Sequence, residues 1–406
     1  MSLLSLFAIF VFSCIYRNIA AGTTEMKGLC CIFNYAPHYR LPIYRRMSEE
    51  MGAEFYFGAN LPGKERIRKF DLDALPGFRG EMKVHVCGPF RWSSGWLRIA
   101  FSRKYDRFII TQDLYAVNQW LFAFACSLLH KKIYVWSHGL KSADPEKQGS
   151  RTTRLLRVWY DRFVAGYFLY GDRAKENMYL AGYDLDRLHP VYNSLDYSES
   201  LALRCTVPEN PYTGHFGNGL PVLLFIGRLT GVKRLDMIVK VHEALYDKGV
   251  KTNVVFIGDG PEKEVLAGMT RADLRQNFWY TGAVYDGKEI HKYLYHATLC
   301  LSPGNVGLTA INCLSHGLPV ITNDDLDSQM PEYEAITPGT TGDFFRDGDI
   351  DDFTARTAEW LSRLASVEYR ERTREECYKV IDERYNPDYQ IKVFRTVLSD
   401  APAGSA

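Results

Sequence analysis

The chain has 406 residues, of which 46% are hydrophobic and 24% charged, with a net charge of +1. That length favours two domains over one core, and the composition excludes both a disordered acidic chain and a strongly basic nucleic-acid binder. Nine cysteines, with Cys30 and Cys31 adjacent and no C-x-x-C pair, read as reduced, buried thiols of a cytoplasmic protein rather than a disulfide or zinc framework.

Leu3 to Tyr16 is almost wholly apolar, yet shorter than the roughly 20 residues that span a bilayer, and no Lys or Arg precedes it. Residues 1–25 are read as an extension, with three explanations in order of preference: a start codon placed too early, a membrane anchor, or a signal cleaved near Ala20-Ala21-Gly22. From Gly28 onward short apolar runs alternate with amphipathic stretches. Strands are expected at Leu29–Phe33, Glu54–Phe57, Lys83–Val86, Arg107–Thr111, Lys132–Trp136 and Tyr167–Tyr170, with helices around Pro42–Met51, Val117–Leu129 and Arg151–Phe163. This alternation predicts a parallel sheet covered on both faces.

The second half repeats the scheme. Strands are expected at Val222–Ile226, Thr252–Ile257, Phe278–Tyr280, Thr298–Leu301 and Pro319–Thr322, separated by helices such as Leu235–Lys248, Glu289–Tyr295 and Leu308–His316. Between the halves, 197–220 carries Pro208, Pro211, Gly214, Gly217 and Gly219 without helical or strand period and reads as a linker. The domains are therefore set at 26–196 and 221–385. A helix over 386–398, capped by Asn386, is expected to return to the first domain, and 399–406 is a polar tail.

The run LLFIGRLTGVKRLD, Leu223 to Asp236, carries the most chemistry. A buried strand stops at Gly227 and delivers Arg228 and Lys233 to the mouth of a helix, where two cations and helix-end N–H groups suit a diphosphate. No G-x-x-x-x-G-K-[ST] loop is present, which sets aside an NTP hydrolase of that type.

Together with FIGDGPEKEVL (Phe256–Leu266) and TGAVYDGKEIHKYLYHATLCLSPGNVGLTAINCLSHGLPVITND (Thr281–Asp324), this run resembles glycosyltransferase family 4. The resemblance extends upstream through YVWSHGLKS (Tyr134–Ser142), YGDRAKENMYLAGYD (Tyr170–Asp184) and VYNSLD (Val191–Asp196), and so covers nearly everything from Met26. It implies an α/β GT-B fold, two Rossmann-like doubly wound parallel-sheet domains facing a central cleft. It also implies a retaining enzyme that moves a sugar from a nucleotide diphosphate sugar to a saccharide or lipid-linked saccharide in surface polysaccharide synthesis, without metal or cofactor. A non-catalytic nucleotide-sugar-binding relative and a sugar-nucleotide epimerase of similar fold are the alternatives.

By that resemblance Arg228 and Lys233 neutralise the leaving diphosphate, and His138, in the context WSHG, orients the donor sugar as a neutral imidazole. Gly227, Gly304, Asn305, Val306, Gly307, Leu308, Thr309, Asn312 and Glu332 are the donor-binding candidates, while His38, Tyr39 and Arg40 line the acceptor side. Pro37 and Pro42 alone would equally explain a structured turn there. Most members carry two glutamates seven residues apart, where this chain has Gly304 and Asn312. The glycines of that loop would let the N–H groups of Val306, Gly307, Leu308 and Thr309 approach the ligand. Asn312 keeps hydrogen-bonding capacity for ribose hydroxyls. Asp324, Asp325 or Glu332 is expected to reach the sugar in place of the first glutamate; a solvated loop explains those three carboxylates as well. Asp113 has no assigned chemistry. Basic and aromatic stretches at 45–46, 64–69 and 151–162 suit peripheral contact with anionic lipid at the inner face of the membrane, although a solvated face reads the same way. No nucleic-acid partner is expected.

Overall fold

The computed structural model describes residues 28–59 and 68–399. The expectations for 1–25, for most of the basic run 64–69 and for the tail beyond residue 399 lie outside the described residues. Contacts divide the chain into two compact units, one running up to Val191 and resuming at Gln390, the other Tyr192–Tyr389.

The first unit contains β1 (Gly28–Phe33), β2 (Glu54–Gly58), β3 (Phe78–Met82), β4 (Val84–Cys87), β5 (Phe90–Ser93), β6 (Tyr105–Ile110), β7 (Lys132–Ser137), β8 (Val164–Leu169) and β9 (Leu188–Pro190). Seven of these form one sheet in the order β3-β2-β1-β6-β7-β8-β9, parallel at every pairing. β4 and β5 pair apart from it as an antiparallel hairpin. Alternate residues of β1 feed two cores: Cys30 and Ile32 pack with Phe108, Ile110 and Val135, whereas Leu29, Cys31 and Phe33 pack with Ile109, Tyr134 and Trp136. Burial of both faces is why these strands read as continuous apolar runs. Phe394 of the last helix, Pro387–Leu398, closes the second of these cores, its ring centroid 5.0 Å from Trp136 and 4.7 Å from Phe168.

The second unit contains β10 (Val222–Ile226), β11 (Asn253–Ile257), β12 (Phe278–Gly282), β13 (Leu299–Ser302), β14 (Val320–Asn323) and β15 (Gly342–Phe345). They form a second all-parallel sheet, ordered β12-β11-β10-β13-β14-β15. Leu224 and Ile226 enter one core, and Leu223 and Phe225 the other.

Several expectations need correction. The strand expected at Lys83–Val86 belongs to the hairpin, and the sheet's edge strand is β3, FRGEM. An edge strand has a single neighbour, so its alternately exposed residues carry no apolar run. The stretch 197–220 is not irregular. It holds the helices Tyr197–Arg204 and Pro211–Phe216, capped by Asp196 on the Glu199 N–H at 3.1 Å and by Asn210 on the Tyr212 N–H at 2.9 Å. Caps, the bonds of Tyr197 and Arg204 to Asp382 and the buried Tyr212 hold these helices, too short for a period to show. Beyond residue 323 and before 386 the structure adds β15 and the helices Ile350–Leu364 and Val367–Glu383. Finally, Cys87 and Cys205 are exposed, while Cys30, Cys31, Cys126, Cys300, Cys313 and Cys377 are buried free thiols.

Candidate functional site

In each sheet the strand order reverses once, between β1 and β6 in the first unit and between β10 and β13 in the second. Loops leaving the carboxyl ends of two such strands diverge to opposite faces, and the gap between them is where open α/β sheets hold ligands.

At the β10/β13 reversal the gap is filled by three loops knitted through their backbones. Gly227 N–H donates to the Ile257 carbonyl at 2.9 Å, and Leu229 N–H to the Asp259 carbonyl at 2.9 Å. Gly258, at φ 148°, lies so close that a Cβ there would stand 1.8 Å from the Gly227 oxygen. Gly304 N–H donates to the Lys233 carbonyl at 3.0 Å. A Cβ on Gly304 would lie 2.2 Å from the Val232 oxygen and 2.7 Å from Lys233 Cα. The missing side chain at 304 therefore serves the approach of the Lys233 loop, a correction to the expectation that it serves a ligand's approach. Lys233 Nζ donates to the carbonyl of Asn305 at 2.6 Å and to its Oδ1 at 2.9 Å, which fixes the ammonium group at the start of the β13 loop. Arg228 is exposed on the same loop as Lys233.

One further donor-side expectation, for Val306, is corrected. Val306 is fully buried, and its N–H is already taken by Gln329 Oε1 at 2.8 Å. The Thr309 hydroxyl is spent on the Ile226 carbonyl at 2.9 Å. The helix Leu308–Ser315 starts at Gly307, φ 53°, with no side chain capping it. The N–H groups of Leu308 and Thr309 have no intrahelical acceptor at such a start and so point their partial positive charge outward. Asn312 is half-buried one turn along.

The acidic segment after β14 separates into distinct roles. Asp324 accepts the Asp347 N–H at 2.9 Å, and Asp325 accepts the Ser328 hydroxyl at 2.5 Å; both are turn residues, so neither is retained as a sugar contact. Glu332 is 2% exposed. Its Oε1 accepts from Asn193 Nδ2 at 2.7 Å, and Oε2 is buried without a hydrogen-bond partner. A buried carboxylate oxygen lacking a donor costs about 1–3 kcal/mol or more, so Glu332 is the one carboxylate of the three with a vacancy for a donor such as a hydroxyl. The turn Pro331–Ala335 that carries it packs on the helix Leu308–Ser315.

Gln329 joins the site only in three dimensions. It is 4% exposed, and besides holding Val306 it donates from Nε2 to Thr322 Oγ1 at 2.9 Å and to the Asn323 and Gly304 carbonyls at 3.2 and 3.3 Å. Its sole signal in the sequence is its place in the acidic segment. Asn193 stands in the motif VYNSLD, where nothing local assigns it a role.

At the β1/β6 reversal the first unit is open instead. A cavity of about 360 Å³ is lined by Tyr39, Arg40, His138, Gln112, Trp136 and Tyr170, among others. His38 is not among its lining residues; its Nδ1 lies 3.2 Å from the Arg68 carbonyl. Arg40 is buried, its guanidinium 4.7 Å from the Trp136 ring centroid and 4.8 Å from that of Tyr170, so it acts on the cavity as a fixed positive charge behind aromatic rings. His138 stacks at 4.6 Å on Tyr170. Desolvation first, then Arg40 and Lys141, lower its pKa to about 4. The residue itself is exposed, and with its pKa lowered the imidazole is neutral at pH 7. A neighbouring cavity of about 490 Å³ is lined by Arg91, Trp92, Asp113, Tyr115, Asn118 and Arg157, among others. There Arg91 pairs with Asp113 at 2.6 Å. Arg91 and Trp92 carry no sequence signal, because the hairpin that presents them is indistinguishable from a sheet strand by its pattern.

Two parallel sheets with reversed strand order, one in each unit, define the GT-B class of fold. The structure of Anabaena Alr3699/HepE in complex with UDP matches 91% of this chain and 99% of its own at TM-score 0.67 and 13% identity. The apo lipopolysaccharide outer core galactosyltransferase WaaB covers the same shares at TM-score 0.64 and 17% identity; both likenesses concern the fold. The family model for glycosyl transferases group 1 matches residues 220–363. The 2-deoxystreptamine N-acetyl-D-glucosaminyltransferase of Niallia circulans is 31% identical over 111 residues, 26% of this chain and 28% of that enzyme. The chain thus spans only 28% and 25% of the length of the two curated relatives it matches. Residues 220–363, all within the second unit, are thus similar to the group 1 glycosyltransferases.

Proposed function

We propose that this protein transfers a sugar, with retention of anomeric configuration, from a nucleotide diphosphate sugar to a saccharide or lipid-linked saccharide. The observation that carries the reading is the Lys233 ammonium anchored on Asn305 beside Arg228, at a sheet reversal buttressed by backbone on both sides. When the bond from the anomeric carbon to the diphosphate breaks, its electron pair stays on the phosphate oxygen. Arg228 and Lys233 compensate that growing charge without having to reorganise, and the Leu308 and Thr309 N–H groups add the helix-start field. The acceptor hydroxyl attacks from the same face, and its proton passes to the departing phosphate.

Gly227 and Gly304 let the two loops meet, Gly307 starts the helix, and Val306 fixes the loop between. Asn312 hydrogen-bonds ribose hydroxyls. Glu332 receives a donor-sugar hydroxyl on Oε2, a bond that the glycine at position 304 has no side chain to make. In the first unit, neutral His138 orients sugar hydroxyls, and Tyr39 and Arg40 serve the acceptor. The test is to incubate the protein with uridine, guanosine, adenosine and thymidine diphosphate sugars and measure free nucleoside diphosphate, with and without saccharide acceptors. Release from one donor, raised by an acceptor and giving a product of unchanged anomeric configuration, is expected; no release from any donor would overturn the proposal.

A further inference from the structure

The helix Arg151–Tyr160, followed by a single tight turn through Phe163, has two unlike faces. Its inner face belongs to the first unit's core and cavity. Tyr160 is fully buried, Thr153 Oγ1 lies 2.8 Å from the Tyr115 hydroxyl, and Arg157 lines the 490 Å³ cavity. Its outer face is apolar. Leu155, Val158 and Trp159 are 54%, 58% and 58% exposed, and with Arg151 and Arg162 they occupy positions i, i+4, i+7, i+8 and i+11 of one helical stripe.

Single exposed apolar residues are ordinary, but three adjacent large ones on one face mark a contact surface. Charge says with what. The helix contains no Asp or Glu, exposed arginines stand at both ends of the patch, and the Arg162 guanidinium lies 4.4 Å from the Trp159 ring centroid. Asp161, the nearest acid in sequence, points inward: it is 9% exposed and accepts from the Tyr167 hydroxyl at 2.5 Å. An apolar strip centred on tryptophan and bracketed by cations, on a helix of ten residues that cannot cross a bilayer, fits a surface of acyl chains under anionic headgroups. Among the described residues no helix is long and apolar enough to cross a membrane.

We infer that this protein docks peripherally on anionic lipid through the outer face of the helix Arg151–Tyr160, with Leu155, Val158 and Trp159 entering the acyl boundary and Arg151 and Arg162 contacting headgroups. Because the inner face of the same helix walls the cavity, docking holds that cavity beside the lipid surface. Only this last consequence, access to a lipid-linked acceptor, rests on the proposed transfer; the lipid contact stands without it.

Flotation of the full chain with vesicles of phosphatidylcholine alone, or mixed with phosphatidylglycerol, tests the inference. Binding is expected to the mixed vesicles, weak to phosphatidylcholine and reversed by high salt. Leu155→Ser/Val158→Ser/Trp159→Ser should weaken it by about tenfold or more, and Arg151→Gln or Arg162→Gln by about fivefold each. Brominated lipid should quench the fluorescence of the wild type but not that of the Trp159→Phe protein to the same degree, a readout that survives if the triple variant fails to fold. No flotation, equal binding to both vesicle types, or wild-type binding by the triple variant would overturn it. The last result would assign binding to another segment. Nucleoside diphosphate release by the same preparations reports on the transfer reaction separately.

Discussion

The two sheet reversals share a topology and differ in what fills them. In the second unit the β10/β13 gap is closed by backbone, Gly304 against Lys233, with Gly258 against Gly227 on the β11 side and Gln329 tying the β13 loop to the end of β14. In the first unit the β1/β6 gap is left as two cavities walled by side chains, Tyr39, Arg40 and His138 in one and Arg91, Trp92 and Asp113 in the other. Backbone contacts and fixed cations suit a group whose charge is always the same, a diphosphate. A wall of aromatic and planar polar side chains can be altered residue by residue and suits a ligand that differs between relatives.

That contrast breaks most readily at the cations. Lys233→Met or Arg228→Met should lower kcat by about 10²–10³-fold, the usual loss for one preorganised partner of a developing anion, whereas acceptor KM should hold; steady-state kinetics decides. Acid provides the next largest effect. Burial, then Arg271, lowers the pKa of His242 to about 4, and burial, then His291 and Arg204, lowers that of His316 to about 3. Both stay neutral in the folded second unit while the unfolded chain takes up protons below its ordinary 6.5. Their stabilisation is therefore full above pH 6.5 and lost as pH falls toward 4, on the order of 3 kcal/mol for His242 alone. Asp161 in the first unit works the other way, because burial raises its pKa and the folded carboxyl takes a proton more readily than the unfolded one. His138 and His189 of the first unit are lowered as well, so hydrogen exchange at pH 7 and pH 5 should show both units less protected in acid.

Gly304→Ala tests the backbone closure: driving a methyl group to within 2.2 Å of the Val232 oxygen should cost about 2 kcal/mol in denaturant unfolding and misplace Lys233. The smallest effect is expected in the first unit. Arg91→Ala should raise acceptor KM by about fivefold with nucleoside diphosphate affinity unchanged, since removing one side-chain hydrogen bond to a sugar costs about 1 kcal/mol.

The fold is legible because buried parallel strands such as VLLFI carry an unbroken apolar run, and the loop after β10 is legible as a candidate site because Gly227, Arg228 and Lys233 lie within one short segment. What escapes depends on distant partners. Gln329 acquires its role only by meeting Val306 and Gly304, 23 and 25 residues earlier, and Asn193 meets Glu332 across 139 residues. Gly304 looks open to the ligand because nothing in a sequence shows that the Val232–Lys233 backbone already occupies that space. His38 adjoins Tyr39 in sequence, yet a tight turn over His38–Arg40 sends its side chain to the 68–69 segment instead.

The central claim is that Arg228 and Lys233 grip a pyrophosphate at the β10/β13 reversal. Calorimetric titration of uridine, UMP and UDP, and of the guanosine series, into the wild type and into Arg228→Gln/Lys233→Gln tests it most directly. The account predicts that one diphosphate binds far more tightly than its nucleoside and that the double variant loses this gain while still binding the nucleoside. A diphosphate bound equally well by both proteins would contradict it.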